Sequence, residues 1–199
     1  MRPGIRTATL LLFALVTIST AHAQAHTTDS RPLQLSVFGG PTGVFTGLAG
    51  GRNLSFTAGV DLGFGTYRGL LPMAEIRGTE PFDDGNVDAQ KNALGGLRVV
   101  KRFRIVHPYG DILYGRGEIE YQGVGYLNPA GNIYYQKTNS NIFSFGGGID
   151  LDISPALSIK FDGQVQSYKV PVTVSGELYA KPITLGVVYS FGFGQRHAF

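Results

Sequence analysis

The stretch LSFTAGVDLGFGTY, Leu54 to Tyr67, decides the fold. Leu54, Phe56, Ala58, Val60, Leu62 and Phe64 fall on one side of an extended chain, and Ser55, Thr57, Gly59, Asp61, Gly63 and Gly65 on the other, which is the two-residue period of a strand. In a soluble sandwich the polar side would be the wet one. Here that side is half glycine and carries one charge, so which face meets water is the question the rest of the chain must answer.

The same alternation recurs in LSIKFDGQVQSY, where Leu157, Ile159, Phe161 and Val165 oppose Ser158, Lys160, Asp162, Gln164 and Gln166. Phe143, Phe145, Ile149 and Leu151 likewise oppose Ser144, Gly146, Gly148 and Asp150. Read along the chain, the pattern predicts strands over Leu33–Phe45, Leu54–Thr66, Leu71–Thr79, Asn92–Val100, Ile105–Gly115, Thr138–Asp152, Leu157–Tyr168 and Ile183–Phe191. Most have about the 9 to 11 residues that a tilted strand needs to cross a bilayer. The first is the weakest, because GGPTG interrupts it. Between these strands the connections YRGL, KRFR and ISPA are short, and they alternate with longer ones such as EPFDDGNVDAQK and KVPVTVSGELYAKP. That sorting is expected of a membrane barrel with short periplasmic turns and long outer loops. The expected fold is therefore all-β, an eight-stranded antiparallel up-and-down transmembrane barrel with both termini in the periplasm. Its greasy face meets lipid. Its narrow interior takes the small and polar side chains. The alternative is a soluble periplasmic barrel with the faces reversed and a ligand inside.

The chain's start agrees with export: Arg2 and Arg6 precede the apolar run Leu10–Val16, and Ala21-His22-Ala23 and Ala23-Gln24-Ala25 both suit cleavage. Residues 1–25 read as a signal peptide cut after Ala23 or Ala25, and 26–199 as one barrel domain. The apolar run is too short to span a membrane as a helix, and no later stretch approaches that length. With no cysteine there is no disulfide framework. A formal charge of +3 with scattered basic residues implies no nucleic acid partner. The 29 glycines, 13 phenylalanines and 10 tyrosines, against 16% charged residues, suit turn-rich, lipid-facing strands.

Near the C-terminus, in ITLGVVYSFGFGQRHAF, Thr184, Gly186, Tyr189 and Phe191 carry the spacing of an outer-membrane assembly signal. With HPYGDILYG, in which Pro108-Tyr109 opens a strand, this resembles the small eight-stranded outer-membrane barrels typified by OmpA and OmpX. The resemblance covers the mature chain as pattern and layout. It implies an outer-membrane location, contact with outer-membrane lipid and lipopolysaccharide, passage through periplasmic chaperones and the barrel-assembly machinery, and a monomer. The chain departs from that family in running on past Phe191, so that Phe193 or Phe199 is also available as the terminal aromatic, and in lacking the tryptophan common in interfacial girdles. No peptidoglycan-binding domain is expected after the barrel, so the resemblance is nearer the OmpX kind.

Asp61, Glu75, Arg77, Arg98, Asp111, Asp150, Lys160 and Asp162 all fall on the polar face, and buried charges must pair, so a salt-bridge network plugging the lumen is expected. The sharper alternative, suggested by the OmpA resemblance, is a gate in which Glu75 or Asp111 exchanges arginine partners. In the longest loop Tyr121, Tyr126, Tyr134 and Tyr135 offer a surface for glycan or protein. The simpler reading is a hairpin continuing past the membrane around NPAG with cross-strand aromatic pairs. Asp83, Asp84, Asn86 and Asp88 lack the ligand order of a calcium loop and read as a solvated acidic loop. No cofactor or metal is implied.

Enzymes on small barrels set their own test. His107 is followed by Pro108 and Tyr109, not by the Ser two residues on that a lipid A deacylase requires, and His26 and His197 lie near the ends. The outer-membrane aspartate proteases resemble ten-stranded barrels, too many strands for this chain. The expected role is thus non-enzymatic, structural or surface-interacting, with a narrow ion or solute pore as the alternative.

Overall fold

The computed structural model describes residues 33–191, so the proposed signal peptide, Phe193 and Phe199 lie outside the described residues. Eight strands close into an antiparallel barrel in the order β1-β10-β9-β8-β5-β4-β3-β2. They are β1 (Gln34–Phe45), β2 (Arg52–Gly63), β3 (Leu70–Pro81), β4 (Asp88–Lys101), β5 (Val106–Tyr121), β8 (Lys137–Asp152), β9 (Leu157–Lys169) and β10 (Glu177–Phe191). A small hairpin, β6 (Tyr126–Leu127) with β7 (Tyr134–Tyr135), rides on the β5–β8 connection. Closure removes every free edge, which in lipid would leave unpaired backbone polar groups.

The apolar side of β2 is the outer one. On β2, Leu54, Phe56 and Val60 face outward and are exposed, while Ser55, Thr57 and Asp61 are buried inside. Outward positions on the other strands carry Ile76 (68% exposed), Leu97 (65%), Ile112, Phe145, Phe161 and Leu185, a continuous apolar band of the kind that marks a lipid-facing surface. The reversed arrangement, with these aliphatic residues in a core, is not what the chain forms.

β1 runs unbroken through GGPTG. Pro41 points outward at a position where its missing N–H leaves the β1–β10 ladder without a pair at residues 40–41, and the register resumes unchanged at Thr42 opposite Thr184. Inside, glycine admits large neighbours. A Cβ at Gly59 would sit 2.5 Å from a ring carbon of Phe38, and one at Gly148 would sit 2.7 Å from the Tyr109 hydroxyl.

Several predicted edges move outward. β4 begins at Asp88 rather than Asn92, β5 continues to Tyr121 rather than Gly115, and β10 begins at Glu177 rather than Ile183. The long side of the barrel is therefore long mainly in strand: connections 46–51 and 82–87 are as short as the turn 64–69, and 170–176 is one residue longer. The physical reason is visible in the same residues. On β5, Ile112 and Tyr114 face out and Asp111 faces in, but beyond Gly115 it is Arg116 and Glu120 that face out and Ile119 and Tyr121 that are buried. The side-chain period continues while its polarity inverts, as it must once the outside of the strand is water instead of lipid.

Candidate functional site in the lumen and at its two ends

The lumen is filled in layers. At its middle, Arg77 on β3 donates from Nη1 to Asp162 Oδ1 on β9 at 2.7 Å and from Nε to Glu75, and lies 3.7 Å from Asp111 Oδ2 on β5. Tyr109 donates its hydroxyl to Asp162 at 2.7 Å, and the Gln164 amide donates to Asp111 at 3.0 Å. Arg98 on β4 forms the second centre, donating to Asp61 on β2 at 2.6 Å and to Asp150 on β8. Its guanidinium lies 3.6 Å from the centroid of the Tyr109 ring. Lys160 is fully buried between the rings of Phe38 (4.4 Å) and Tyr109 (4.3 Å), with Asp150 Oδ1 3.9 Å away. All eight charged side chains named from the sequence thus meet in the lumen, five acids around three cations. Charges withdrawn from water in this way need such pairing, and Lys160 Nζ, which makes no hydrogen bond, relies on Asp150 and the two ring faces.

Two further layers carry no charge signature in the sequence. Toward the loops, Thr184, Thr42, Thr57 and Thr79 link their hydroxyls across four adjacent strands at 2.8, 2.7 and 2.9 Å. Above them lies an apolar cluster that includes Val44, Leu94, Leu113, Ile119, Ile142, Tyr168 and Leu178, against which Leu48, Val87, Tyr126, Tyr135, Val170 and Val172 pack from the connections. Beside Leu48, buried Asp88 accepts hydrogen bonds from Thr46 Oγ1 (2.6 Å) and Gln90 Nε2 (3.1 Å). Asp88 is therefore part of the barrel wall rather than of a solvated loop, because β4 starts at that residue and turns it inward. In the same connection Asp83 Oδ1 accepts from the Gly85 amide at 3.0 Å and Asn86 Oδ1 from the Arg52 amide at 2.5 Å, local turn contacts, and among the described residues no acidic or histidine group is arranged to hold a metal ion.

The tyrosine group divides. Tyr126 opposes Tyr135 in the β6–β7 hairpin, and Tyr121 packs on Tyr126 with ring centroids 6.0 Å apart. Tyr121 is 4% exposed and so belongs to the interior, whereas Tyr134 is 59% exposed. On β10, Thr184 and Gly186 face in, and Tyr189 and Phe191 project outward with their rings edge to face at 5.0 Å.

At the turn end the lumen opens into a vestibule of about 350 Å³ lined by residues including Gln34, Ser36, Asp61, Arg98, His107 and Asp150. His107 Nε2 is 2.7 Å from Asp152 Oδ2, and Ser158 donates to the other oxygen of Asp152 at 2.7 Å. The serine hydroxyl bonds the carboxylate and not the imidazole, so these three residues do not form the relay by which a histidine activates a serine.

Among the solved structures that match this architecture are small membrane barrels. The Neisserial surface protein NspA aligns with a TM-score of 0.50 at 12% identity, over 80% of this chain and 97% of that one. The fold is that of the small eight-stranded outer-membrane barrels. Ail of Yersinia pestis (TM-score 0.45, 14% identity, 81% of this chain and 99% of that chain) and the N-terminal barrel domain of Pseudomonas aeruginosa OprF (0.42, 17%, 81% and 98%) also match at lower scores. No family model and no curated protein matches this sequence.

Proposed function

We propose that this barrel sits in the bacterial outer membrane, with its termini and short turns in the periplasm, as a non-enzymatic, closed structural element of the envelope that presents its longer connections outside the cell. The observation that carries this reading is the apolar cap, to which all four connections at the loop end contribute: Leu48 from the first, Val87 from the second, Tyr126 and Tyr135 from the third, and Val170 and Val172 from the fourth. Water and ions would have to cross that cap as well as the Arg77 and Arg98 clusters. A gate built on Glu75 or Asp111 changing partners would open only the lower barrier. The narrow-pore reading is therefore the weaker one. The His107–Asp152–Ser158 arrangement likewise favours a structural role over catalysis. Outward contact with lipid and lipopolysaccharide, biogenesis through the barrel-assembly machinery with a signal in Thr184, Gly186, Tyr189 and Phe191, and a monomeric state fit the same picture. For an encounter at the cell surface, the loop end offers exposed Phe82, Val124, Ile133, Tyr134 and Val174.

Planar-bilayer recording of the purified full chain tests closure. The expected result is an unbroken baseline. Discrete, reproducible conductance steps would overturn the closed-barrel reading and return the pore to first place.

A further inference from the structure

The two ends of the barrel differ in charge. Among the described residues, the loop end mixes exposed acids and bases, with Lys91 and Lys137 both reaching Glu118 at 3.0 and 3.5 Å. The turn end carries Arg68, Lys101, Arg102 and Arg104, and its acid Asp152 is engaged with His107 and Ser158. These cations are confined to two turns. The third turn, Ile153 to Ala156, has none.

The two basic turns are neighbours, because β3 and β4 pair with Leu70 opposite Lys101. Lys101 faces outward and extends over the adjacent turn, its Nζ 3.1 Å from where a Cβ on Gly69 would stand. Arg102 faces the other way, into the vestibule, and donates to Gln34. That leaves Arg68, Lys101 and Arg104 on the outer rim, with no ion pair to any described residue. Immediately beside them lie exposed Tyr67, Leu70, Phe103 and Ile105. Cations just beyond an apolar belt stand at the level of lipid headgroups.

Arg68 adds an independent observation. It occupies a tight turn closed by hydrogen bonds between Tyr67 and Leu70, with φ of +50° at Arg68 and +76° at Gly69. Asn, Asp or Gly suits the first of two such positions, and a long side chain there is strained. Its guanidinium lies 5.4 Å from the centroid of the Tyr67 ring, at the membrane-facing rim.

We propose that Arg68, Lys101 and Arg104 form a basic collar on one side of the barrel that docks anionic phospholipid headgroups of the leaflet it faces. This rests on the orientation proposed above, which makes that leaflet the periplasmic one. The phosphodiester and its negative charge are what three unpaired cations at headgroup depth recognise, while the neighbouring aromatic and aliphatic side chains take the upper acyl chains.

The test uses the full chain reconstituted in phosphatidylcholine with a minority of phosphatidylglycerol, and reads the preference for spin-labelled phosphatidylglycerol over labelled phosphatidylcholine at the protein surface. Wild type is expected to prefer the anionic lipid, with the preference falling as salt is added. Arg68→Asn should reduce it, by up to roughly fivefold for loss of one cation near a charged surface. The same variant should unfold at a higher temperature in zwitterionic detergent, since the turn loses its strain. A purely structural arginine would not move the two readouts in opposite directions. Lys101→Gln with Arg104→Gln should abolish the remaining preference, and Arg116→Gln with Lys169→Gln at the loop end should leave it intact. No preference in wild type, or equal loss in the loop-end control, overturns the proposal. So does binding of wild type but not of Arg68→Asn to purified peptidoglycan sacculi in the absence of any lipid preference, which would give the collar to the cell wall. Because the chain has no cysteine, Val174→Cys and Ala156→Cys report orientation by impermeant maleimide labelling of intact cells. Labelling of Ala156→Cys alone overturns the orientation and hence the leaflet, independently of whether the lipid preference is found.

Discussion

Arg98 shows how much one lumenal residue holds. It lies on β4, yet its partners are Asp61 on β2 and Asp150 on β8, so three strands depend on one guanidinium. Removing it leaves Asp61 without its ion-pair partner and Asp150 with only Lys160, 3.9 Å away. Arg98→Ala is expected to destabilise the barrel by about 3 to 5 kcal/mol, the range for breaking a buried pair from one side. Urea titration in lipid vesicles checks this, and an unchanged midpoint would contradict the network. The sequence places Arg98, Asp61 and Asp150 on inward positions through simple alternation. It is silent on who pairs with whom: by register Arg98 stands opposite Asp111, but Asp111 turns toward Arg77 instead.

At the level of elements, the inversion of polarity along β5 and β10 divides each strand into a lipid-bathed part and a water-bathed part. On β10, Ile183, Leu185 and Val187 face out below, while Glu177 and Lys181 face out above, opposite buried Leu178 and Ala180. A reading that looks for greasy-out alternation stops at Gly115 and at Ile183, close to where that inversion falls. The signal for the missing strand ends was present in GEIEY, where acidic and apolar residues alternate in the opposite sense. The water-bathed part behaves as a soluble core. Ile119→Ala, at a fully buried position, should therefore cost about 2 to 5 kcal/mol, as in a soluble interior. Ile112→Ala, on the lipid face one level down, should cost far less in the same titration, because lipid replaces the lost contacts. Equal effects at the two sites would refute the division.

At the scale of the whole molecule the ladder closes on itself, β1 pairing with both β2 and β10, and this closure is expected to resist unfolding. A closed barrel that excludes detergent from its backbone keeps its compact form until heated. The expected result on a detergent gel is a band that changes mobility only after boiling, from protein recovered in the outer-membrane fraction. Recovery in the soluble periplasmic fraction without such a shift would contradict the lipid-facing band.

Local chemistry in the chain dictates the strand period, the inward set of charges and the apolar outer face, because alternation depends only on neighbours two residues apart. The identity of the ion pairs, the threonine ladder over β10, β1, β2 and β3, and the apolar cap over the lumen depend on closure. Arg77 reaches Asp162 from β3 to β9 only when the sheet curls with one particular stagger between its strands, and that stagger belongs to the ring as a whole. Leu48, Val87, Tyr126, Tyr135, Val170 and Val172 are scattered through four connections and show no common period. They become a cap only where the barrel brings those connections to one end.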